Sequence, residues 1–156
     1  MLRVILFLIA FLFVAATPQR ADAQLALTET QALSFGTIVI RSWATVARVT
    51  VNAASNNTTY GPGVIGLSPG QRAEYDLTGG PASTAYSVSI DGDTDMYQGL
   101  NPVIRLDNFV VRPNVLATNA LGQDQLFIGA RARTLGGGNV YLDGAYSGSF
   151  DFTVQF

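Results

Sequence analysis

The chain has 156 residues, 48% of them hydrophobic and 13% charged, with no histidine, no cysteine and a formal net charge of −2. Arginine supplies all nine cationic residues, so the usual metal ligands, thiol nucleophiles, Schiff-base amines and the commonest general base are missing, which argues against an enzyme. Nor does such a chain offer the clustered positive surface that nucleic acid or an anionic bilayer needs.

The first residues read as an export signal: Arg3 gives the positive start, Val4 to Ala16 the apolar run, and Ala21-Asp22-Ala23 the small-x-small cleavage site. That run falls short of the ~20 residues a membrane-spanning helix needs. Cleavage after Ala23 is expected to leave residues 24–156 as one domain without a membrane span, carrying seven arginines, ten carboxylates and a net charge of −3. Without cysteine there is no lipidation site and no disulfide framework, so packing alone must hold the fold. Without lysine, exposed sheet edges must be protected by arginine, bulges, loops or a partner strand.

From Gln24 onward, short alternating runs are separated by turn residues and no stretch shows a helical repeat. This predicts an all-β, immunoglobulin-like antiparallel sandwich. Gln24 to Thr28 alternates briefly before Glu29 interrupts the apolar parity, and Leu33 to Ile40 reads as the first core strand. Ala47, Val49 and Val51 alternate with Arg48, Thr50 and Asn52; Asn56-Asn57-Thr58 and Gly61-Pro62-Gly63 then break the pattern into a polar loop. Arg72 to Leu77 stops at Gly79-Gly80-Pro81, and Tyr86, Val88 and Ile90 follow on one parity, a pair read as a hairpin. Val103 to Val111 is a further strand ended by Pro113, and Leu126, Ile128, Ala130 and Ala132 share a face opposite Arg131 and Arg133. After the Gly136-Gly137-Gly138 loop comes a last strand, in which Tyr146, Gly148, Phe150, Phe152, Val154 and Phe156 alternate with Ser147, Ser149, Asp151, Thr153 and Gln155. The count of about eight strands suits a complete sandwich.

The stretch Asp91-Gly92-Asp93-Thr94-Asp95 carries the most chemistry, because carboxylates at alternate loop positions can converge on a hard cation. Asp91, Asp93 and Asp95 are therefore the candidate calcium ligands. The glycine and closing glutamate of the helical-hand calcium loop are absent, and a solvated turn is the plainer reading. No other cofactor is implied. Trp43, the single tryptophan, reads as a plug at the sandwich end or a ligand-stacking surface.

Four stretches, LSFGTIVI, QRAEYDLTG, LFIGARARTL and GAYSGSFDFTVQF, together resemble the bacterial domain of unknown function 4402 over essentially the whole mature chain. The L-x-FG opening and G-x-Y ending are also similar to spore-coat-U and archaic chaperone-usher pilins. The resemblance implies an exported, pilin-like sandwich in the periplasm or at the surface of a Gram-negative bacterium. It implies pairing with a strand from a periplasmic chaperone or a neighbouring copy: Leu25 and Leu27 would be donor-strand plugs, and Ser147 to Phe156 would line the acceptor groove. Tyr146, Phe150, Phe152, Val154 and Phe156 are then the pairing residues. Two functional readings follow. The first is a fimbrial or surface-coat subunit assembling by β-strand pairing; the second is a stand-alone secreted module for carbohydrate or adhesion, with a calcium-binding aspartate loop.

Overall fold

A computed structural model describes residues 24–42, 44–99 and 103–156. The expected leader over residues 1–23 and Trp43 lie outside the described residues. The strands are β1 (Ala26–Gln31), β2 (Thr37–Ile40), β3 (Arg48–Val51), β4 (Thr58–Tyr60), β5 (Val64–Ser68), β6 (Ala73–Thr78), β7 (Ser87–Ile90), β8 (Thr94–Met96), β9 (Ile104–Arg112), β10 (Asp124–Arg133) and β11 (Phe152–Gln155). Among the described residues no helix interrupts them, and every strand pair is antiparallel, so the expected all-β sandwich class holds.

The longest strand, β10, sits at the centre because its alternation fits a sheet buried on one side. Leu126, Ile128, Ala130 and Ala132 are buried, while Gln125, Phe127, Arg131 and Arg133 take the opposite parity. Along one edge β10 pairs with β9 from Phe127 to Arg133. Its other edge is shared, with β6 opposite Asp124 to Ile128 and β3 opposite Arg131 to Arg133. Gly129 lies at the changeover, where an added Cβ would stand 2.3 Å from the Val51 carbonyl oxygen and 2.5 Å from the Ala53 nitrogen. Only glycine leaves room for two strands to abut there. On the β9 side the register shifts between Gly129 and Arg131, and Asn108 takes a φ of 51°; this bulge increases the local twist. Outward from these strands, β1 pairs with β6, β4 with β3 and β8 with β9, completing a seven-stranded first layer.

The remaining strands form two separate pairs, β2 with β5 and β7 with β11. Three expectations are corrected here. Arg72–Leu77 and Tyr86–Ile90 do not form a hairpin, because β6 belongs to the large sheet and β7 pairs with β11. The turn at Gly79 (φ 76°) leads into a connection tied to the β9–β10 loop: Gly80 N–H donates to the Gly122 carbonyl at 3.0 Å and Ser83 N–H to that of Asn119 at 2.9 Å. The chain is thus carried between layers. Leu33–Ile40 is likewise not one core strand. It bridges Gln71 at Ser34, bends at Gly36 (φ 72°) and resumes as the half-exposed β2. The stretch read as a polar loop after Val51 contains β4 and leads into β5.

Two apolar clusters fill the interior. One holds Ile104, Leu106, Ala132 and Tyr141; the other holds Leu77, Tyr86 and Leu126. Full burial of a leucine or isoleucine side chain stabilises by about 1.5–3 kcal/mol, so β10 contributes to both layers' cohesion as well as to the ladder. Leu126→Ala is expected to cost about 2–5 kcal/mol in urea unfolding, and Gly129→Ala about 1–3 kcal/mol through forced displacement of Val51 or Ala53. A Gly129→Ala protein as stable as wild type would mean that β3 and β6 do not meet on one edge of β10.

Candidate functional site

In the second layer, β2 has a strand partner only in β5 and β11 only in β7 among the described residues. Between β2 and the stretch that precedes β11 runs a groove. One wall is the stretch from Leu33 to Ile40, the other runs from Tyr141 to Phe150, and the floor is Met96, Ile104, Leu106 and Ala132. Its broadest part encloses about 720 Å³, continuing into narrower ends of about 270 and 170 Å³. The apolar residues around it stop short of full burial: Phe35, Ile38, Ile40, Tyr146 and Phe150 are all half-buried.

Local bonding explains how the C-terminal wall stands without a strand on its groove side. Tyr97 N–H donates to the Ser147 carbonyl at 2.8 Å and Ser147 N–H returns to that of Tyr97 at 3.1 Å. Thr94 Oγ1 donates to the Ser149 carbonyl at 2.8 Å, and Gln98 Nε2 to that of Asp143 at 2.8 Å. Gly148 permits this approach, since a Cβ there would lie 2.6 Å from the Asp95 carbonyl oxygen. The wall is backed by β8 and its extension. Aromatic contacts hold the outer part: Phe150 packs on Phe109 with centroids 5.1 Å apart, Phe152 on Tyr75 at 4.9 Å, and Phe156 on Tyr86 at 5.4 Å.

The sequence-predicted pairing residues divide into three groups. Tyr146 and Phe150 line the groove; Phe152 and Val154 lie on β11 and pack against the second core cluster; Phe156 lies just beyond β11 and is 46% exposed. The single strand expected from Ser147 to Phe156 is limited to Phe152–Gln155, because the preceding residues bond to Thr94 and Tyr97 instead of entering a ladder. Leu25 and Leu27 are not brought to this wall. Leu27 stands opposite Leu77 on the edge strand β1, and Leu25 and Leu27 are 43% and 39% exposed. Sequence reasoning missed the floor residues Met96, Ile104 and Leu106 as parts of a site, and the facing wall of Phe35, Ile38 and Ile40. The alternation of Phe35 with Ile38 and Ile40 is broken by Gly36-Thr37, which concealed it.

Asp91, Asp93 and Asp95 occupy the corner where the chain leaves β7 and enters β8, turning at Gly92 (φ 54°). Asp91 and Asp93 are exposed, whereas Asp95 stands opposite Arg105 and accepts its Nε–H at 3.1 Å. Among the described residues no three of histidine, cysteine, aspartate or glutamate are grouped to hold a metal ion. On the outer face of the large sheet, Asp107 accepts the Nε–H of both Arg131 and Arg133 at 2.6 Å. The Arg131 hydrogen bond, reinforced by Arg133 and opposed by burial, holds the Asp107 carboxyl below its ordinary value.

An antiparallel, sandwich-like all-β module with an apolar groove between β2 and the stretch before β11 is the class these observations define. Within it, the chain belongs to the family of domain of unknown function DUF4402, whose model matches residues 25–156. Comparison with curated proteins and with solved structures finds no match.

The aromatic supports of the C-terminal wall make its stability sensitive to alkali. Burial, then a hydrogen bond to Asp124 at 2.5 Å, raises the Tyr86 phenol well above its ordinary value. Burial and Glu29 push Tyr75 up to about 12. A raised phenol favours the protonated folded state, so its stabilisation is complete below the unfolded value of about 10 and is lost as pH rises through the folded value. Thermal melts from about pH 8 to about pH 12 should therefore decline beyond about pH 10, and less steeply in Tyr86→Phe. An identical slope in that variant would show that Tyr86 does not couple folding to alkali.

Proposed function

We propose that this chain is an exported structural or interaction subunit that accepts a β-strand from a partner polypeptide in the groove between β2 and the C-terminal wall. The observation that carries this reading is β2, which among the described residues has a strand partner only in β5, facing residues 141–150 across an apolar groove. A strand laid between them would gain backbone partners on both sides while its alternate side chains enter the apolar floor, the physics of β-strand addition. It would also cover the half-buried Phe35, Ile38, Ile40, Tyr146 and Phe150, whose exposure forfeits hydrophobic stabilisation. The leader-like segment before Gln24 supports export to the periplasm or cell surface of a Gram-negative bacterium. The resemblance to archaic pilins supports a fimbrial or coat role, with a periplasmic chaperone or a neighbouring subunit as strand donor. This role requires neither a catalytic residue nor a cofactor. The alternative, a carbohydrate or adhesion module holding calcium through Asp91, Asp93 and Asp95, has weaker support because Asp95 is already engaged by Arg105.

Hydrogen exchange on mature protein, alone and as recovered with bound periplasmic or surface components, tests the proposal. In the free protein, the amides of Thr37–Ile40 that do not bond to β5, and those of residues 143–149 other than Ser147, should exchange much faster than those of β10, and slow by at least about tenfold in the complex. Slow exchange of both walls in a bare monomer would sink the reading, since it would mean that the walls already have partners.

A further inference from the structure

We infer that the occupant of the groove is a strand from a different polypeptide, apolar at alternate positions through its middle and basic at its ends, and not the N-terminal strand of a second copy. This rests on the strand-acceptor reading above and specifies the partner that the groove selects.

The chain's own β1 is already committed. It forms five registered pairs with β6, from Ala26 with Thr78 to Gln31 with Glu74. Side chains add to that ladder: Tyr75 Oη donates to Glu29 at 3.1 Å, Gln31 Nε2 to the Arg72 carbonyl at 2.7 Å, and Thr30 Oγ1 to the Glu74 carbonyl at 3.1 Å. Donation in trans would first have to break all of these.

The chemistry of β1 also fits poorly. On the parity of Leu25 and Leu27 the next residues are Glu29 and Gln31, so the strand offers two apolar side chains and then a carboxylate. The groove asks for more. Its Leu33–Ile40 wall, bent at Gly36, spans at most about 26 Å, with apolar stations at Leu106 and Phe150, at Met96 and Phe35, and at Tyr146 and Ile40. A carboxylate set over such a floor loses hydration without a compensating partner.

Charge gives the third constraint. The charged residues lining the groove are Glu29 at one end and Asp143 at the other, and no arginine lines it. A second copy's β1 would add another carboxylate near one already present. A strand with lysine or arginine at its ends would meet both carboxylates from the rim, where charges select partners and register more than they add affinity.

The inference is tested with mature protein and three synthetic peptides of about nine residues, a length that matches the wall. One copies Gln24 to Ala32; the second alternates valine or leucine with serine and ends in arginine; the third is the same with glutamate ends. The arginine-ended peptide should raise the melting temperature and protect the amides of Thr37–Ile40. The glutamate-ended one should bind about two- to fivefold more weakly, the range of an exposed ion pair, and the β1 copy should not bind measurably. Asp143→Asn should reduce the preference for arginine ends without changing the melting temperature of the free protein. Binding of the β1 copy as tight as that of the arginine-ended peptide would overturn the inference in favour of a second copy. Equal binding of arginine- and glutamate-ended peptides would overturn its electrostatic part. If none of the three binds, the strand-acceptor reading itself fails.

Discussion

A β-strand carries backbone donors and acceptors on both edges, and where those groups are removed from water they must find partners. In this protein β10 meets that demand most fully, with β9 along one edge and β6 then β3 along the other. The large sheet grows outward from it, and the buried parity of Leu126, Ile128, Ala130 and Ala132 sets which side is the interior. The second layer has no equivalent centre. Its strands come as pairs, and β2 faces a groove whose floor belongs to the first layer.

The lack of cysteine and lysine makes this arrangement depend on packing and arginine. Asp107, 6% exposed, is accommodated on the outer face of the sheet because two guanidinium groups reach it from β10. Desolvation offsets much of what such a cluster gains, so its main effect is geometric: it fixes Arg131 and Arg133 over β9 and keeps the polar parity of β10 facing out. Because the Asp107 carboxyl is held low, this contribution persists above the ordinary carboxylate range and is lost as pH falls through the lowered value. Arg72, stacked 3.6 Å from the centroid of Phe127 and paired with Glu74, covers an outward aromatic in a similar way.

Much of the first layer was legible because its strands carry apolar alternation. Leu126 to Ala132 shows its period directly, whereas in Val103 to Val111 the alternation of Ile104 and Leu106 stops at the bulge around Asn108. Turn chemistry was less informative about layers: Gly79-Gly80-Pro81 has the composition of a hairpin turn, but whether the chain then returns to its own sheet depends on Gly122 and Asn119, some forty residues away. The acidic stretch hid β8, since a three-residue strand beginning at Thr94 is too short for a period to show, and Met96 consequently went unnoticed as floor. Half of the groove was visible through Tyr146 and Phe150. The facing wall, Asp143 and the placement of Leu27 on the edge of β6 depend on how the second layer fails to close, which no local pattern encodes.

Gly129 also limits which substitutions this chain can accept. A site where two strands abut against a third cannot drift by small steps, because the first available change, a methyl group, collides with backbone that has no rotamer to relax. A glycine in the middle of the longest strand, between Ile128 and Ala130, is therefore the mark that this abutment leaves in the sequence.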